Sequence, residues 1–152
     1  MIGIREKEPT TRILYSMLRV RNLELSLAFY TTTLGMREFR REDYPEGRFT
    51  LVFIGYGDES SNSTIELTYN WAENNYQHGT SFGHIAIGVE DLYATCDYLT
   101  SVGVELFRKP GPMTYTATNG TRDVIAFIKD PDGYKIELVE NHQRRCSKRT
   151  ET

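Results

Sequence analysis

Hydrophobic positions in the first half of the chain predict one helix and several β-strands. The helical spacing is carried by four residues, Leu23, Leu27, Tyr30 and Leu34. Asn22 is a suitable N-cap before them, and Gly35 is a suitable residue just after the helix end. The predicted strand, helix and three further strands span residues 13–20, 22–35, 36–40, 49–55 and 64–69. Pro45 and Gly47 lie in a polar stretch, residues 40–48, that predicts a loop.

The second half repeats this order of elements. Its strands are predicted at residues 84–89, 104–107, 124–128 and 134–140. A helix with one apolar face lies between Asp91, a suitable cap, and Gly103, which ends it. Residues 110–121 are rich in Pro, Gly, Thr and Asn and predict a loop. The Asp-Pro-Asp-Gly sequence at residues 130–133 predicts a tight turn.

Each half is therefore predicted to be a βαβββ unit, and the fold class to be α+β. Two repeats, residues 13–70 and 83–140, would form curled mixed sheets within one domain that covers residues 13–140. Residues 1–12 are expected to form an N-terminal arm, and residues 141–152 a basic, disordered tail.

An Ile-Glu-Leu tripeptide occurs near the end of each half, with Glu66 in the first copy and Glu137 in the second. Tyr15 precedes Glu66 by 51 residues, and His84 precedes Glu137 by 53. A repeat of this length indicates two copies of one supersecondary unit. The two glutamates should thus occupy matched places, as should Tyr15 and His84.

Strand alternation places Glu137 on the face opposite to Ile136 and Leu138. If a helix covers the Ile136 and Leu138 face, Glu137 points into the concave side of a curled sheet, as Glu66 does in its own strand. A glutamate there is costly to desolvate unless it is paired or bound to a cation. Alternatively, both glutamates face solvent on an open sheet. The matched His84 favours the first interpretation, because two carboxylates and an imidazole are metal ligands.

Composition and charge exclude several classes of protein. The chain of 152 residues is 39% hydrophobic and 26% charged, as is ordinary for a globular protein. The net charge of −3 includes four basic residues and one acidic residue of the tail, so residues 1–140 carry −6 and do not attract nucleic acid. No stretch approaches the ~18 apolar residues of a membrane span. Residues 1–12 lack the apolar core of a signal peptide.

The two cysteines are too few for a disulfide framework. Cys96 lies among apolar residues of the predicted helix, so we expect a small buried hydrophobe. These features together predict a cytoplasmic protein without a membrane or nucleic-acid partner.

Several stretches of the chain resemble the glyoxalase I (lactoylglutathione lyase) family of the vicinal-oxygen-chelate superfamily, in its short, single-unit form. The resemblance covers about residues 12–140. It is carried by Met17-Leu18-Arg19-Val20, Phe29-Tyr30, Leu34-Gly35-Met36, Ile65-Glu66-Leu67-Thr68-Tyr69-Asn70-Trp71, Gly83-His84-Ile85-Ala86 and Asp130-Pro131-Asp132-Gly133-Tyr134-Lys135-Ile136-Glu137-Leu138.

This resemblance implies a divalent metal ion, nickel or zinc, as cofactor. In the family, one histidine and one glutamate from each repeat hold the ion. The matching positions here are Tyr15, Glu66, His84 and Glu137. The resemblance also implies a homodimer, with each site at the subunit interface and ligands from both chains.

The activity implied is methylglyoxal detoxification, through isomerisation of the hemithioacetal of glutathione and methylglyoxal to S-lactoylglutathione. The metal stabilises charge that develops as a proton leaves carbon, which is Lewis-acid catalysis. By resemblance Glu137 is the base and Glu66 its counterpart. Arg19 and Asn70 match residues that hold the γ-glutamyl end of glutathione, and an arginine fork suits a carboxylate.

Tyr15 departs from the family, which has histidine at this place. A phenol is a poor ligand until it is ionised. Three interpretations remain: an ionised Tyr15 is the fourth ligand, Tyr15 hydrogen-bonds a water on the metal, or the metal is lost. A phenolate with two carboxylates carries three negative charges, which would over-neutralise a divalent ion and weaken the activity.

Residues 111–123 form a second departure. This loop is longer than the short bacterial pattern and lacks the lysine that often contacts the glycyl carboxylate of glutathione. Arg122 either replaces that lysine or is a surface charge.

Two hypotheses follow. The chain is an active or residual glyoxalase I, as the retained trio Glu66, His84 and Glu137 indicates. Alternatively, it is a non-catalytic protein that binds a small molecule or thiol conjugate on the same scaffold, as Tyr15 and the altered loop indicate. An epimerase or a ring-cleaving dioxygenase is a third option, but the dioxygenase needs two matched histidines.

Overall fold

Helices and strands follow one another in the order predicted for the two repeats. The computed structural model describes residues 11–141, so most of the predicted arm and tail lies outside the described residues. Its elements are β1 (Tyr15–Arg19), α1 (Leu23–Leu27), a π-helical segment (Ala28–Thr33), β2 (Arg37–Tyr44), β3 (Phe49–Gly55), β4 (Thr64–Asn70), β5 (Ile85–Val89), α2 (Leu92–Ser101), β6 (Leu106–Pro112), β7 (Val124–Lys129) and β8 (Lys135–Glu140).

The chain divides into two units, each built on one four-stranded sheet. Within the described residues, the first unit comprises residues 11–23 and 30–74, and the second comprises residues 24–29 and 75–141. Both sheets contain one parallel and two antiparallel pairs. The predicted α+β class with two mixed sheets is therefore confirmed, while one domain over residues 13–140 stays a prediction.

In the first unit the strand order is β1-β4-β3-β2. Leu18 of β1 lies beside Leu67 of β4, which in turn lies opposite Val52 of β3. These three side chains are almost fully buried and form one apolar face. Alternation then places Glu66, opposite Phe53, on the other face of the sheet.

Strand β2 is longer than predicted, because residues 40–44 belong to it and not to a loop. It is an edge strand, so polar side chains on both faces cost little. Its charged residues are paired locally, and Arg41 Nε donates to Glu38 Oε1 at 3.0 Å. Thr50 Oγ1 of β3 donates to Asp43 Oδ1 at 2.6 Å. The hydrophobic pattern could not identify a strand that is held by such polar pairs.

The helix predicted over residues 22–35 is divided between α1 and the π-helical segment. Tyr30 within that segment is fully buried. Gly35 has φ +74°, a conformation that favours glycine, and its N–H donates to the Thr31 carbonyl at 3.0 Å. The predicted end of the helix at Gly35 is therefore confirmed.

In the second unit the strand order is β5-β8-β7-β6, and α2 packs against β6, β7 and β8. Asp91 is the N-cap of α2, and its Oδ1 accepts a hydrogen bond from Ala94 N at 2.9 Å. Cys96 and Leu99 on the inner face of α2 are each 1% exposed. The predicted cap and the buried cysteine are thus confirmed, and burial raises the pKa of the Cys96 thiol.

Strand β6 spans residues 106–112 and not the predicted 104–107, so the loop predicted from residue 110 begins too early. Two irregularities interrupt its pairing with β7. The Arg108 side chain supplies hydrogen bonds to backbone carbonyls of both strands. Its Nη1 donates to the Ile125 carbonyl at 3.0 Å and its Nη2 to the Pro112 carbonyl at 2.9 Å. Prolines are tolerated here because β6 is an edge strand.

Leu99→Ala should lower the free energy of unfolding by about 2–5 kcal/mol, because it leaves a cavity beneath α2. Leu25→Ala is the matched control, since Leu25 is 55% exposed on α1 and should cost less than about 1 kcal/mol. Urea denaturation followed by circular dichroism measures both. Equal losses in the two variants would contradict the core assigned to α2.

Candidate active site

His84 and Glu137 form a pair within the second unit. His84 directly precedes β5, and Glu137 lies at the middle of β8, between the buried Ile136 and Leu138. His84 Nε2 lies 3.0 Å from Glu137 Oε2, and the two side chains are 39% and 16% exposed. A cation placed beside these two atoms would meet two ligand atoms already side by side.

Phe127 of β7 supports this pair. It lies directly opposite Glu137 in the sheet, and its ring meets the His84 ring edge-on, with centroids 5.2 Å apart. The contact restricts the imidazole to an orientation in which Nε2 faces the carboxylate.

Glu66 is the corresponding glutamate of the first unit and is only 8% exposed. Thr68 Oγ1 donates to its Oε1 at 2.9 Å. Among the described residues, no lysine, arginine or histidine nitrogen lies within 4.0 Å of this carboxylate. A nearly buried carboxylate of this kind is chemically suited to hold a cation.

Tyr15 shares a sheet face with Glu66, since β1 and β4 are parallel and Met17 lies beside Glu66. The tyrosine is 46% exposed, and its ring meets that of Phe53 edge-on, with centroids 5.3 Å apart. The phenol therefore has solvent access on the same side of the sheet as the carboxylate.

Arg40, which was not predicted as a site residue, also lies on this face. Its guanidinium lies 3.4 Å from the centroid of the Phe53 ring, directly opposite in the sheet, and its Nε donates to Glu59 Oε1 at 2.8 Å. Arg40 also contacts Glu42, which accepts a hydrogen bond from Tyr44 Oη at 2.7 Å. The Tyr44 hydroxyl and then the Arg40 guanidinium lower the pKa of Glu42. Arg40, Glu42 and Tyr44 occupy every second position of β2, and this alternation could have placed them on one face.

Arg19 and Asn70 are brought together at the ends of β1 and β4. Arg19 Nη1 donates to Asn70 Oδ1 at 2.9 Å. The amide thereby orients the guanidinium, a planar fork of a kind that suits a carboxylate.

Arg122 lies in the loop between β6 and β7, where its Nε donates to the Met113 carbonyl at 2.6 Å. Arg122 is thus tied to its own loop within the second unit. His78 stacks on Tyr134, with ring centroids 4.1 Å apart, so its contact is one of packing.

The predicted ligands thus occur as one pair in each unit. Over residues 11–141, no three histidine, cysteine, aspartate or glutamate side chains gather closely enough to hold a metal ion. The donor set nevertheless fits a divalent ion, because it offers an imidazole, a carboxylate beside it, and a buried carboxylate without a cation. Within the described range no helix has the length and apolarity of a membrane span.

The chain is similar to known proteins over most of its length. Residues 12–138 match the model of the Glyoxalase/Bleomycin resistance protein/Dioxygenase superfamily. A probable lactoylglutathione lyase of Synechocystis is 51% identical over 133 residues, which cover 88% of this chain and 98% of that protein. The lactoylglutathione lyase of Neisseria meningitidis serogroup A is 51% identical over 129 residues, covering 85% of this chain and 90% of that protein. The trypanothione-dependent glyoxalase I of Leishmania major superimposes with a TM-score of 0.74 at 40% identity, over 91% of this chain and 93% of that one.

Proposed function

Because the chain belongs to the glyoxalase, bleomycin resistance protein and dioxygenase superfamily, we propose that it is a lactoylglutathione lyase. It converts the hemithioacetal of glutathione and methylglyoxal to S-lactoylglutathione. The observation that carries the proposal is the His84–Glu137 pair at 3.0 Å, which offers a ligand and a base together. Relatives that bear this enzyme name at 51% identity support it.

The cofactor of the proposed enzyme is a divalent ion, nickel or zinc, held by Glu66, His84 and Glu137, with Tyr15 at the fourth place. The buried Glu66 without a cation and the adjacent His84 and Glu137 support this ligand set. When bound, the ion supplies Lewis acidity that stabilises negative charge on the substrate oxygens.

Glu137 acts as the base. Its carboxylate takes the proton from the carbon that carries sulfur and returns it to the neighbouring carbonyl carbon. The hydroxyl proton passes to the former carbonyl oxygen, so the product is an isomer and no group is lost. His84 orients this carboxylate through their contact at 3.0 Å. Glu66 is the counterpart of Glu137 at the matched position of the first repeat.

Arg19 and Asn70 hold the γ-glutamyl end of the thiol, and their contact at 2.9 Å supports this role. Arg122 is the candidate for the glycyl carboxylate. Its hydrogen bond to the Met113 carbonyl is equally compatible with a surface charge that only stabilises the loop.

Arg19→Lys should raise KM for the hemithioacetal about tenfold and change kcat little, because an ammonium cannot reproduce the guanidinium fork. Arg21→Lys removes the same group from an exposed neighbouring position and should leave KM unchanged. Steady-state kinetics over a range of hemithioacetal concentrations measures both. A fall in kcat with constant KM would contradict the assignment of Arg19 to substrate binding.

The proposed enzyme is a homodimer whose sites lie at the subunit interface. Among the described residues, each unit contributes one half of the proposed ligand set, which is compatible with a site that combines two copies. The edge strand β1 and the residues before it also expose apolar side chains suited to a partner surface: Ile13, Leu14 and Met17.

Mixing the inactive variants Glu66→Gln and Glu137→Gln tests the shared site. If each site takes Glu66 from one copy and Glu137 from the other, a mixed dimer contains one intact site of two. Half of the dimers are mixed at equilibrium, so about one quarter of the original activity should return. Dissociation and reassociation of the two variants, followed by activity assay, measures it. Sites confined to one chain would give no recovery.

The decisive experiment is an assay of thioester formation. The purified protein is loaded with nickel or zinc and supplied with the hemithioacetal of glutathione or, separately, of trypanothione, the thiol named for the Leishmania neighbour. We expect turnover with the glutathione adduct. A folded, metal-loaded protein that binds the adduct without turnover would instead establish the binding protein, which Tyr15 at the ligand place favours. Cys96 is a free, buried thiol, which suits the cytoplasmic location that we propose.

A further inference from the structure

A pocket lies at one end of the sheet of the second unit. It encloses about 310 Å³, which is at the lower end of the range for small-molecule sites. The π-helical segment, the α2–β6 connection and the β7–β8 turn enclose it. Its lining residues are Phe29, Gly103, Val104, Glu105, Phe107, Lys129, Asp130 and Pro131. None of the residues proposed above for metal, catalysis or thiol binding belongs to this set.

Two lysines meet at the edge of this pocket. Lys129 of β7 lies directly opposite Lys135 of β8. Like charges at directly opposite positions of a sheet repel each other. Among the described residues, neither ammonium has a carboxylate within 4.0 Å. An anion bound between them would relieve this repulsion.

Both ammonium groups lie over the same phenyl ring. Lys129 Nζ is 4.3 Å and Lys135 Nζ 5.3 Å from the centroid of Phe107. Phe107 is 54% exposed, although phenyl groups of this size are usually covered. The ring therefore fixes the position of the two charges and also leaves an apolar surface available to a ligand.

The acidic residues of the lining do not cancel these charges. Asp130 is 5% exposed, and its Oδ1 accepts hydrogen bonds from the N–H groups of Asp132 at 2.9 Å and Tyr134 at 2.8 Å. It is thus committed to the β7–β8 turn. Glu105 is exposed and forms no ion pair with either lysine.

We propose that this pocket binds a small organic carboxylate with an aromatic body. The carboxylate lies between the ammonium groups of Lys129 and Lys135, and the aromatic body packs on Phe107 and Phe29. None of its residues is one of the proposed catalytic residues, so its failure would leave the enzyme proposal intact.

Titration calorimetry of the metal-loaded, full-length protein with 3-phenylpropanoate tests the proposal. Binding should be saturable, and Lys129→Gln should weaken it about tenfold. Lys109→Gln is the matched control, because Lys109 is exposed on β6 outside the pocket and should change nothing. Glu105→Gln should strengthen binding by removing a repelling charge. The uncharged 3-phenylpropanamide, which has the same shape, should bind at least tenfold more weakly.

Three results would overturn the proposal. They are no saturable binding of 3-phenylpropanoate, equal binding of the acid and the amide, and equal weakening by Lys129→Gln and Lys109→Gln. A probe carboxylate that binds the metal ion instead would be insensitive to Lys129→Gln, and it would also be displaced by removal of the metal. That outcome too counts against a site at Phe107.

Discussion

Glu137→Gln should reduce kcat/KM for the hemithioacetal by about 10³-fold, as expected when a general base is lost. Glutamine has nearly the same shape as glutamate, so its side-chain oxygen can still accept a hydrogen bond from His84 Nε2. What it lacks is the basicity needed to take the proton from carbon. Because the Glu137 side chain is only 16% exposed and the change keeps its volume, we expect the fold to persist.

Thioester formation by metal-loaded Glu137→Gln measures this effect, and circular dichroism verifies the fold. Glu90→Gln is the control, since Glu90 is an exposed carboxylate of the same unit and should retain full activity. Metal content must be determined alongside, because Glu137 is proposed as both ligand and base. If Glu137→Gln retains its metal and turns over within about threefold of the original rate, Glu137 is not the base.

The proximity of His84 and Glu137 could be predicted, because the two residues belong to one repeat with a matched spacing. The strands that carry Glu66 and Glu137 have period-two alternation, and buried neighbours on either side of each glutamate decide which face it takes. The position of His84, directly before the parallel neighbour of β8, then follows from pairing of the first and last strands of the repeat. Both inferences need only the alternation of residues within a strand and the repeated order of the strands.

Other parts of the molecule could not be predicted in this way. A strand was predicted over residues 36–40, but its continuation to Tyr44 was not. That part of β2 lacks an apolar face and is held by ion pairs such as those of Arg40 with Glu42 and Glu59. The position of Arg40 over Phe53 depends on an irregularity between Glu38 and Arg40, and hydrophobic periodicity does not show such an insertion. The lysine pair at Phe107 likewise depends on a register between β7 and β8 that only the structure specifies.

Tyr15→His should raise the affinity for nickel or zinc, and with it the activity at limiting metal, by about tenfold or more, equivalent to ~1.4 kcal/mol. Imidazole is a neutral ligand at pH 7, whereas a phenol must first lose a proton. With histidine, the set of two carboxylates and two imidazoles carries two negative charges and matches a divalent ion. With a tyrosinate it carries three, which weakens the Lewis acidity of the ion.

The change should be tolerated by the fold. Tyr15 is 46% exposed, so a smaller ring leaves no closed cavity. The loss is confined to its edge-on contact with Phe53, worth about 0.5–1.5 kcal/mol. Urea denaturation should therefore show that metal-free Tyr15→His is modestly less stable than the metal-free original protein. The metal-loaded variant should gain stability, because it binds the ion more tightly.

Tyr15→Phe separates the interpretations of the natural residue. If Tyr15 is a ligand, removal of its hydroxyl should lower metal content and activity together. If the hydroxyl only orients a water, metal content should persist while activity falls. Metal content by elemental analysis and thioester formation are measured side by side for the original protein, Tyr15→Phe and Tyr15→His. Unchanged metal affinity in Tyr15→His would mean that this position does not reach the ion, and the ligand set would then reduce to Glu66, His84 and Glu137.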